Sequence, residues 1–165
     1  MIIANTKDDK LRKTMIDMAS CYDSFFTQTT NIVGSSKEAM TKYGIPCITP
    51  ETGTPYPVKV DDVNWHYNGI MNVMKLLGMI EGAPTLNMQP LDPEVQKIVA
   101  EHGGLWIQKI AAGSHVKKED ILGEVISLVG ETLETLEAPC PGVISTSRTS
   151  VTVNQGDVLA QIAQV

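Results

Sequence analysis

The sequence predicts an α/β region followed by a small all-β module, and three observations predict it. Through the first half, apolar residues at helical spacing alternate with short, β-branched runs. From Glu81 to Pro93 the chain carries Gly82, Pro84, Pro90 and Pro93, which continue neither a helix nor a strand. From Val95 onward the apolar period becomes one of alternation, in short runs broken by Gly, Asp and Pro. The expected organisation is therefore two domains, 1–88 and 89–165.

Asp8 to Ala19 places Leu11, Met15, Met18 and Ala19 on one helical face, with Asp8 and Asp9 at the start, where acids favour a helix N-terminus. Tyr22 to Ile32, with Phe25, Phe26 and several Thr, reads as a strand or an irregular connection. Ser35-Ser36-Lys37-Glu38 has the capping-box pattern, so a short helix follows through Lys42 and Gly44 closes it in the left-handed conformation. Ile45 to Thr49 then reads as a short strand buried on both faces. Pro50 cannot donate to a ladder and Gly53 permits a bend, so Glu51 is expected at the carboxyl end of that strand, where open α/β sheets place ligand sites. The alternative for Glu51 is a solvated loop charge. Asp61 and Asp62 open the clearest helix, in which Val63, Ile70, Val73, Met74 and Leu77 share a face and Gly78 ends the element.

The second half repeats itself. Val116, Asp120, Leu122 and Val125 recur 37 residues later as Val153, Asp157, Leu159 and Ile162, and Gly104 answers to Gly142 one residue out of register. Two strand-turn-strand units, each with an uncovered apolar face, bury those faces by packing on one another.

The 165 residues suffice to bury a sizeable core, and 42% hydrophobic with 19% charged residues is a globular composition. A net charge of −6, with basic residues scattered, argues against nucleic acid and anionic membrane as partners. No window approaches the roughly 20 apolar residues of a membrane-spanning helix. Cys21, Cys47 and Cys140 form no CxxC and are expected to be reduced thiols in a cytoplasmic protein. His66, His102 and His115 fall in different segments, with neither i, i+4 nor HxxE pairing, so the chain shows no zinc-ligand constellation. Packing is the expected role of Tyr56, Trp65 and Trp106, with pocket lining as the alternative.

Two resemblances add to this reading. Val116-Lys-Lys-Glu-Asp120-Ile-Leu122, taken with Glu137-Ala138-Pro139-Cys-Pro-Gly142-Val143, resembles the flattened barrel-sandwich of biotinyl and lipoyl domains. The carrier lysine of that type has no counterpart, because Gly130-Glu131-Thr132 stands in its place and no lysine follows Lys118. Attached lipoate or biotin is therefore not expected. The order of all the parts is similar to the C-terminal half of the succinylglutamate desuccinylase/aspartoacylase family of zinc carboxypeptidase-like hydrolases. The matching features are Gly44-Ile45-Pro46 leading to Glu51-Thr-Gly53, the helix with Gly69-Ile-Met-Asn72-Val73 and Leu76-Leu77-Gly78-Met79, and the terminal module with Gly103-Gly104-Leu105.

This resemblance implies a partial three-layer zinc-hydrolase sheet followed by the barrel-sandwich. It also implies a zinc-dependent deacylase of N-acyl amino acids or similar small amides, with Glu51 as general base and acid on a zinc-bound water. The family's HxxE pair, its later zinc histidine and its Asn-Arg substrate segment have no match in this sequence. Zinc is thus expected for the complete enzyme and not for this chain alone, and the missing N-terminal half is expected in cis or in trans. Homo-oligomerisation through an uncovered sheet edge is a further expectation. The competing reading is a non-catalytic binding or assembly module in which Glu51 is a relic.

Overall fold

A computed structural model describes residues 1–54 and 57–165, so Tyr56 lies outside the described residues. The chain forms two compact units, Met1–Asp92 and Pro93–Val165.

The first unit opens with strand β1 (Ile2–Ala4) and helix α1 (Asp9–Ala19). Asp8 caps the helix: its side chain accepts the Leu11 N–H at 2.9 Å, satisfying one of the orphan donors of the first turn. Leu11, Met15, Met18 and Ala19 are all buried. Strand β2 (Gln28–Thr30) runs parallel to β1, with Ile3 opposite Thr29. Helix α2 (Ser36–Lys42) begins with half of the predicted capping box: Ser35 Oγ accepts from the Glu38 N–H, but the Glu38 carboxylate accepts from the Gly34 N–H at 2.7 Å, and the Ser35 N–H donates to the Ile32 carbonyl instead. Gly44 follows it with φ 71°, in the left-handed region.

Strand β3 is shorter and more open than the sequence suggests. It comprises Ile48–Thr49, half-buried, and runs antiparallel to β1 with Ile3 opposite Ile48 and Ile2 opposite Thr49. Ile45 is 51% exposed, so the segment is not buried on both faces. The reason is local: the Ile45 N–H donates to the Met40 carbonyl of α2 at 2.9 Å, which commits it to the helix end, and Pro46 has no N–H for a ladder. Helix α3 (Val60–Leu76) then packs Trp65, Val73 and Leu76 against a core of Met1, Ile3, Leu11, Met15, Ala19, Cys21 and Tyr22. Of the apolar stripe read from the sequence, Val63, Ile70 and Leu77 face solvent instead.

The sheet order is β2-β1-β3. At the β2 end the edge is closed by the chain itself: Thr27 bridges Leu91, the Asp92 N–H donates to the Thr27 carbonyl at 2.8 Å, and the Asp92 carboxylate accepts from the Thr29 N–H and hydroxyl.

The second unit contains β4 (Val95–Val99), β5 (Gly104–Gln108), β6 (His115–Val116), β7 (Ile121–Ile126), β8 (Thr132–Glu137), β9 (Gly142–Ser147), β10 (Thr152–Val153) and β11 (Val158–Ala163). They form two four-stranded sheets, β10-β5-β7-β8 and β4-β11-β9-β6, with every pairing antiparallel. The expected barrel is not closed, because among the described residues no ladder joins the two sheets. Trp106, Leu122 and Val125 of one sheet share a single core cluster with Ile98, Ile144, Leu159 and Ile162 of the other.

The sequence repeat reappears as repeated hydrogen bonding. The Lys117 N–H donates to Asp120 Oδ2 and the Asn154 N–H to Asp157 Oδ2, both at 2.8 Å, so each aspartate closes the turn before its strand. The Ala138 N–H donates to the Asp120 carbonyl and the Ala100 N–H to the Asp157 carbonyl, both at 2.9 Å. A Cβ on Gly104 would lie 2.4 Å from the Ile126 carbonyl oxygen, and one on Gly142 would lie 2.3 Å from that of Ala163, so both copies need glycine for close backbone approach. The short strands are exchanged: β6 of the first copy pairs with β9, and β10 of the second pairs with β5. Neither copy can complete its sheet alone.

One position breaks the symmetry and yields a prediction. Glu119 has φ 73°, whereas its counterpart 37 residues on, Gly156, has φ 88°. The left-handed conformation costs a side-chain-bearing residue about 1–2 kcal/mol, and glycine returns about 0.4–1 kcal/mol of that through the unfolded chain. Glu119→Gly is therefore expected to stabilise the protein by about 0.5 kcal/mol and Gly156→Ala to destabilise it, as read from urea midpoints. The ion pair lost with Glu119 is an exposed contact to Lys118 at 3.8 Å and does not alter the sign.

Candidate functional site

Glu51 follows β3 by two residues and is exposed. Because β3 runs antiparallel to β1, its carboxyl end lies beside the amino end of β1, not beside the shared carboxyl ends of β1 and β2. The ligand-crevice rule for parallel strands, used in the sequence reading, therefore does not place Glu51. The Glu51 charge reaches the buried amino group of Met1, which donates to the Phe26 carbonyl at 3.0 Å and Ser24 Oγ at 3.4 Å. Burial holds that amine below its ordinary pKa, and Glu51 pulls in the opposite direction.

The loop carrying Glu51 is anchored on the first turn of α3. Thr52 Oγ1 donates to Asp62 Oδ1 at 3.4 Å, and Gly53, at φ 81°, leaves 2.7 Å between its would-be Cβ and Asp62 Oδ2. Both its backbone angle and this close approach require glycine at position 53. Asp62 carries a negative charge at a helix N-terminus, a favourable position for it.

A cleft of about 430 Å³ opens beside α3, lined by Tyr22, Asp23, Trp65, Asn68 and Asn72 among others, and Glu51 is not among its lining residues. The Trp65 ring lies 4.8 Å from Tyr22 and edge-on to His66 at 5.0 Å, and its Nε1–H donates to the Asp23 carbonyl. Asn72 ties two loops to the helix, donating to the Cys21 carbonyl at 3.2 Å and accepting from the Thr85 N–H at 3.2 Å. A second cavity of about 330 Å³ lies at the carboxyl ends of β1 and β2, with Asn5, Asn31, Thr30, Thr41 and Lys42 in its walls. The sequence reading did not single out these residues. The available signal was the Asn that directly follows each parallel strand, Asn5 after Ala4 and Asn31 after Thr30.

The candidates His102, His115 and Trp106 belong to the second unit. The Glu134 carboxylate accepts from the Glu101 and His102 N–H groups at 3.0 and 3.2 Å, and His102 Nδ1 lies 3.9 Å from it. His115 stands in β6 opposite Val143. Trp106 is buried in the core of the second unit, where its ring occupies the space a Cβ on Gly123 would take, and it lines neither cavity. Among the described residues, no group of three His, Cys, Asp or Glu side chains is placed to hold a metal ion. Among them, too, no helix is long and apolar enough to cross a membrane.

All three cysteines are free. Cys21 is buried, and burial followed by the charge of Asp17 pushes its thiol pKa up, while burial and then Cys21 do the same to Tyr22. The folded state therefore keeps these protons to higher pH than the unfolded chain, so their contribution to stability is complete below the ordinary thiol value of 9.0 and is lost as pH rises above it. Urea unfolding between pH 8 and 10.5 is expected to show stability falling from about pH 9 upward, with a shallower fall in Cys21→Ala.

No protein-family model and no curated protein matches the sequence. Solved structures do match in fold. The ectoine utilization protein EutE (DoeB) from Ruegeria pomeroyi, in a product-bound structure, superposes with a TM-score of 0.83 at 18% identity, over 99% of this chain and 52% of its own. A succinylglutamate desuccinylase/aspartoacylase from Rhodobacter sphaeroides gives 0.80 at 19% identity with the same coverage. An aspartoacylase family protein from Mesorhizobium loti gives 0.73 at 12%, again over 99% and 52%. The chain thus spans about half the length of the structures it matches. In fold, it is similar to about half of a succinylglutamate desuccinylase/aspartoacylase family protein, in agreement with the C-terminal half.

Proposed function

We propose that this chain is the C-terminal portion of a zinc-dependent deacylase that removes the acyl group from an N-acyl amino acid or a similar small amide, with Glu51 as general base and acid. The observation that carries the reading is the exposed carboxylate two residues past β3, in a chain whose whole length follows the fold of desuccinylase and aspartoacylase structures. Amide hydrolysis needs a group that takes a proton from the attacking water and returns it to the leaving amine, and a carboxylate anchored through Thr52 and Asp62 but open to solvent suits both transfers.

The described residues do not fit a zinc ion, because such a site requires three protein ligands and His66, His102 and His115 are not grouped. The metal ligands accordingly belong to the part of the fold that has no counterpart here, supplied in cis or in trans. The second unit serves as a structural module of lipoyl/biotinyl-like architecture without carrier chemistry. The hairpin tip between β7 and β8 is Ser127-Leu128-Val129-Gly130-Glu131, and no lysine follows Lys118. Neither lipoate nor biotin is attached. The free thiols suit a cytoplasmic protein, and exposed apolar side chains in the first unit suit homo-oligomerisation.

The exposure of Glu51 in this chain by itself favours a second reading, a non-catalytic assembly module with a relic glutamate. Hydrolysis of N-acetyl and N-succinyl amino acids separates the two. The assay compares the chain alone with a fusion in which the uncovered part of the Rhodobacter sphaeroides protein precedes Met1, both supplied with zinc. Activity in the fusion and none in the chain alone is the expected result. A folded, zinc-loaded fusion that is inactive would leave the assembly reading.

A further inference from the structure

We propose that the cleft beside α3 is a binding site for a neutral polyhydroxylated small molecule, a saccharide or polyol, held by the carboxamides of Asn64 and Asn68 and by the Tyr22 hydroxyl.

α3 carries residues that helix formation by itself disfavours. Asn64, Asn68 and Asn72 stand four residues apart and so form one row along the helix. Asparagine is a poor helix former, because its side chain competes for backbone hydrogen bonds. Asn72 has a structural duty, since it donates to the Cys21 carbonyl and accepts from the Thr85 N–H. Asn64 and Asn68 have no such duty: among the described residues neither side chain makes a hydrogen bond, and both line the cleft.

Tyr22 supplies an independent observation. Gly69 leaves the notch in which its ring sits, so Tyr22 is 3% exposed while it still lines the cleft. Trp65 holds the ring at 4.8 Å, yet the Tyr22 hydroxyl has no hydrogen-bond partner among the described residues. Buried phenols ordinarily find one. A buried, unpaired hydroxyl in the wall of a cleft marks a hydrogen-bonding position for a bound molecule.

The chemistry of the walls selects the ligand. A volume of about 430 Å³ lies within the roughly 300–1,000 Å³ of small-molecule pockets. Its charged walls are Asp23 and Asp61, both acidic, which disfavours an anion. An ammonium ligand only donates, and would leave the Nδ2–H groups of the asparagines unpaired against it. A hydroxyl both donates and accepts, and so matches the carboxamides, the Tyr22 and Thr85 hydroxyls and the two carboxylates together. The Trp65 and Tyr22 rings add apolar surface of the kind against which the C–H face of a sugar packs.

NMR titration of the ¹⁵N-labelled chain tests this, with glucose, galactose, trehalose and myo-inositol as probes. At least one is expected to shift the side-chain amide signals of Asn64 and Asn68 and the Trp65 indole signal, and to saturate. In the double variant Asn64→Ala, Asn68→Ala, the Kd read at Trp65 is expected to rise at least tenfold. Alanine is the better helix former, so the urea midpoint of that variant is expected not to fall, which separates lost binding from lost fold. Tyr22→Phe keeps the ring and removes only the hydroxyl, and is expected to raise the Kd about tenfold. The proposal is overturned if none of the four probes gives a saturable shift, or if the shift at Trp65 persists unchanged in the double variant. It is also overturned if calcium chloride or putrescine saturates these signals and the polyols do not. Binding by the chain that disappears in a folded fusion with the Rhodobacter sphaeroides segment would give the cleft to polypeptide instead, and overturns it as well.

Discussion

On the proposed deacylase function, Glu51→Gln is expected to lower kcat for N-acyl amino acid hydrolysis by the assembled protein about 10³-fold, within the usual span of general acid-base contributions. Glutamine keeps the length and a carbonyl acceptor but cannot take up a proton, so the loss falls on the chemical step and KM stays nearly constant. Stability is expected to change by no more than about 0.5 kcal/mol, because the side chain is exposed. Steady-state kinetics beside thermal unfolding of the same samples provides the check. A loss below tenfold, or one that appears only in KM, would remove the proton-transfer role from Glu51.

Gly69→Ala is expected to destabilise the first unit by about 3 kcal/mol, at the upper end of ordinary overpacking. Helix propensity alone predicts the reverse, a gain of about 1 kcal/mol for alanine over glycine inside a helix. Packing decides the sign: a Cβ at this position would lie 2.0 Å from Tyr22 Cε1 and 2.2 Å from Cδ1. The ring cannot swing clear, since Tyr22 is 3% exposed and is held against Trp65 at 4.8 Å. Urea midpoints measure the effect, and in a Tyr22→Ala background the added methyl group should cost much less. A neutral or stabilising Gly69→Ala would show that Tyr22 does not occupy this notch.

The two expectations come from different levels: Glu51 was singled out by its sequence neighbours, whereas Gly69 matters only through its tertiary contact with Tyr22. Asp8, Ser35 with Glu38, and Gly44 were readable because a cap acts over three or four residues of contiguous backbone. Asp120 and Asp157 were readable only as a repeated pair; that each accepts a backbone N–H from three residues earlier in its own turn came from the structure. The outward face of α3 was not readable: one of its stripes is Val63, Ile70 and Leu77, another is Trp65, Val73 and Leu76, and periodicity cannot rank two apolar faces of one helix. The notch at Gly69 is the tertiary fact that selects between them.

Glu51 shows the same division. That it stands just past a short apolar segment is a statement about neighbouring residues, and the sequence by itself determined it, together with the caps, the left-handed glycines and the 37-residue repeat. Only the tertiary structure decided that β3 runs against β1, that Asp92 seals one sheet edge while the other stays open, and that the duplicated strands form two facing sheets instead of a closed barrel. Caps and turns are settled by steric and hydrogen-bond terms within a few residues. Strand direction and burial depend on partners dozens of positions away, whose contribution no local pattern contains.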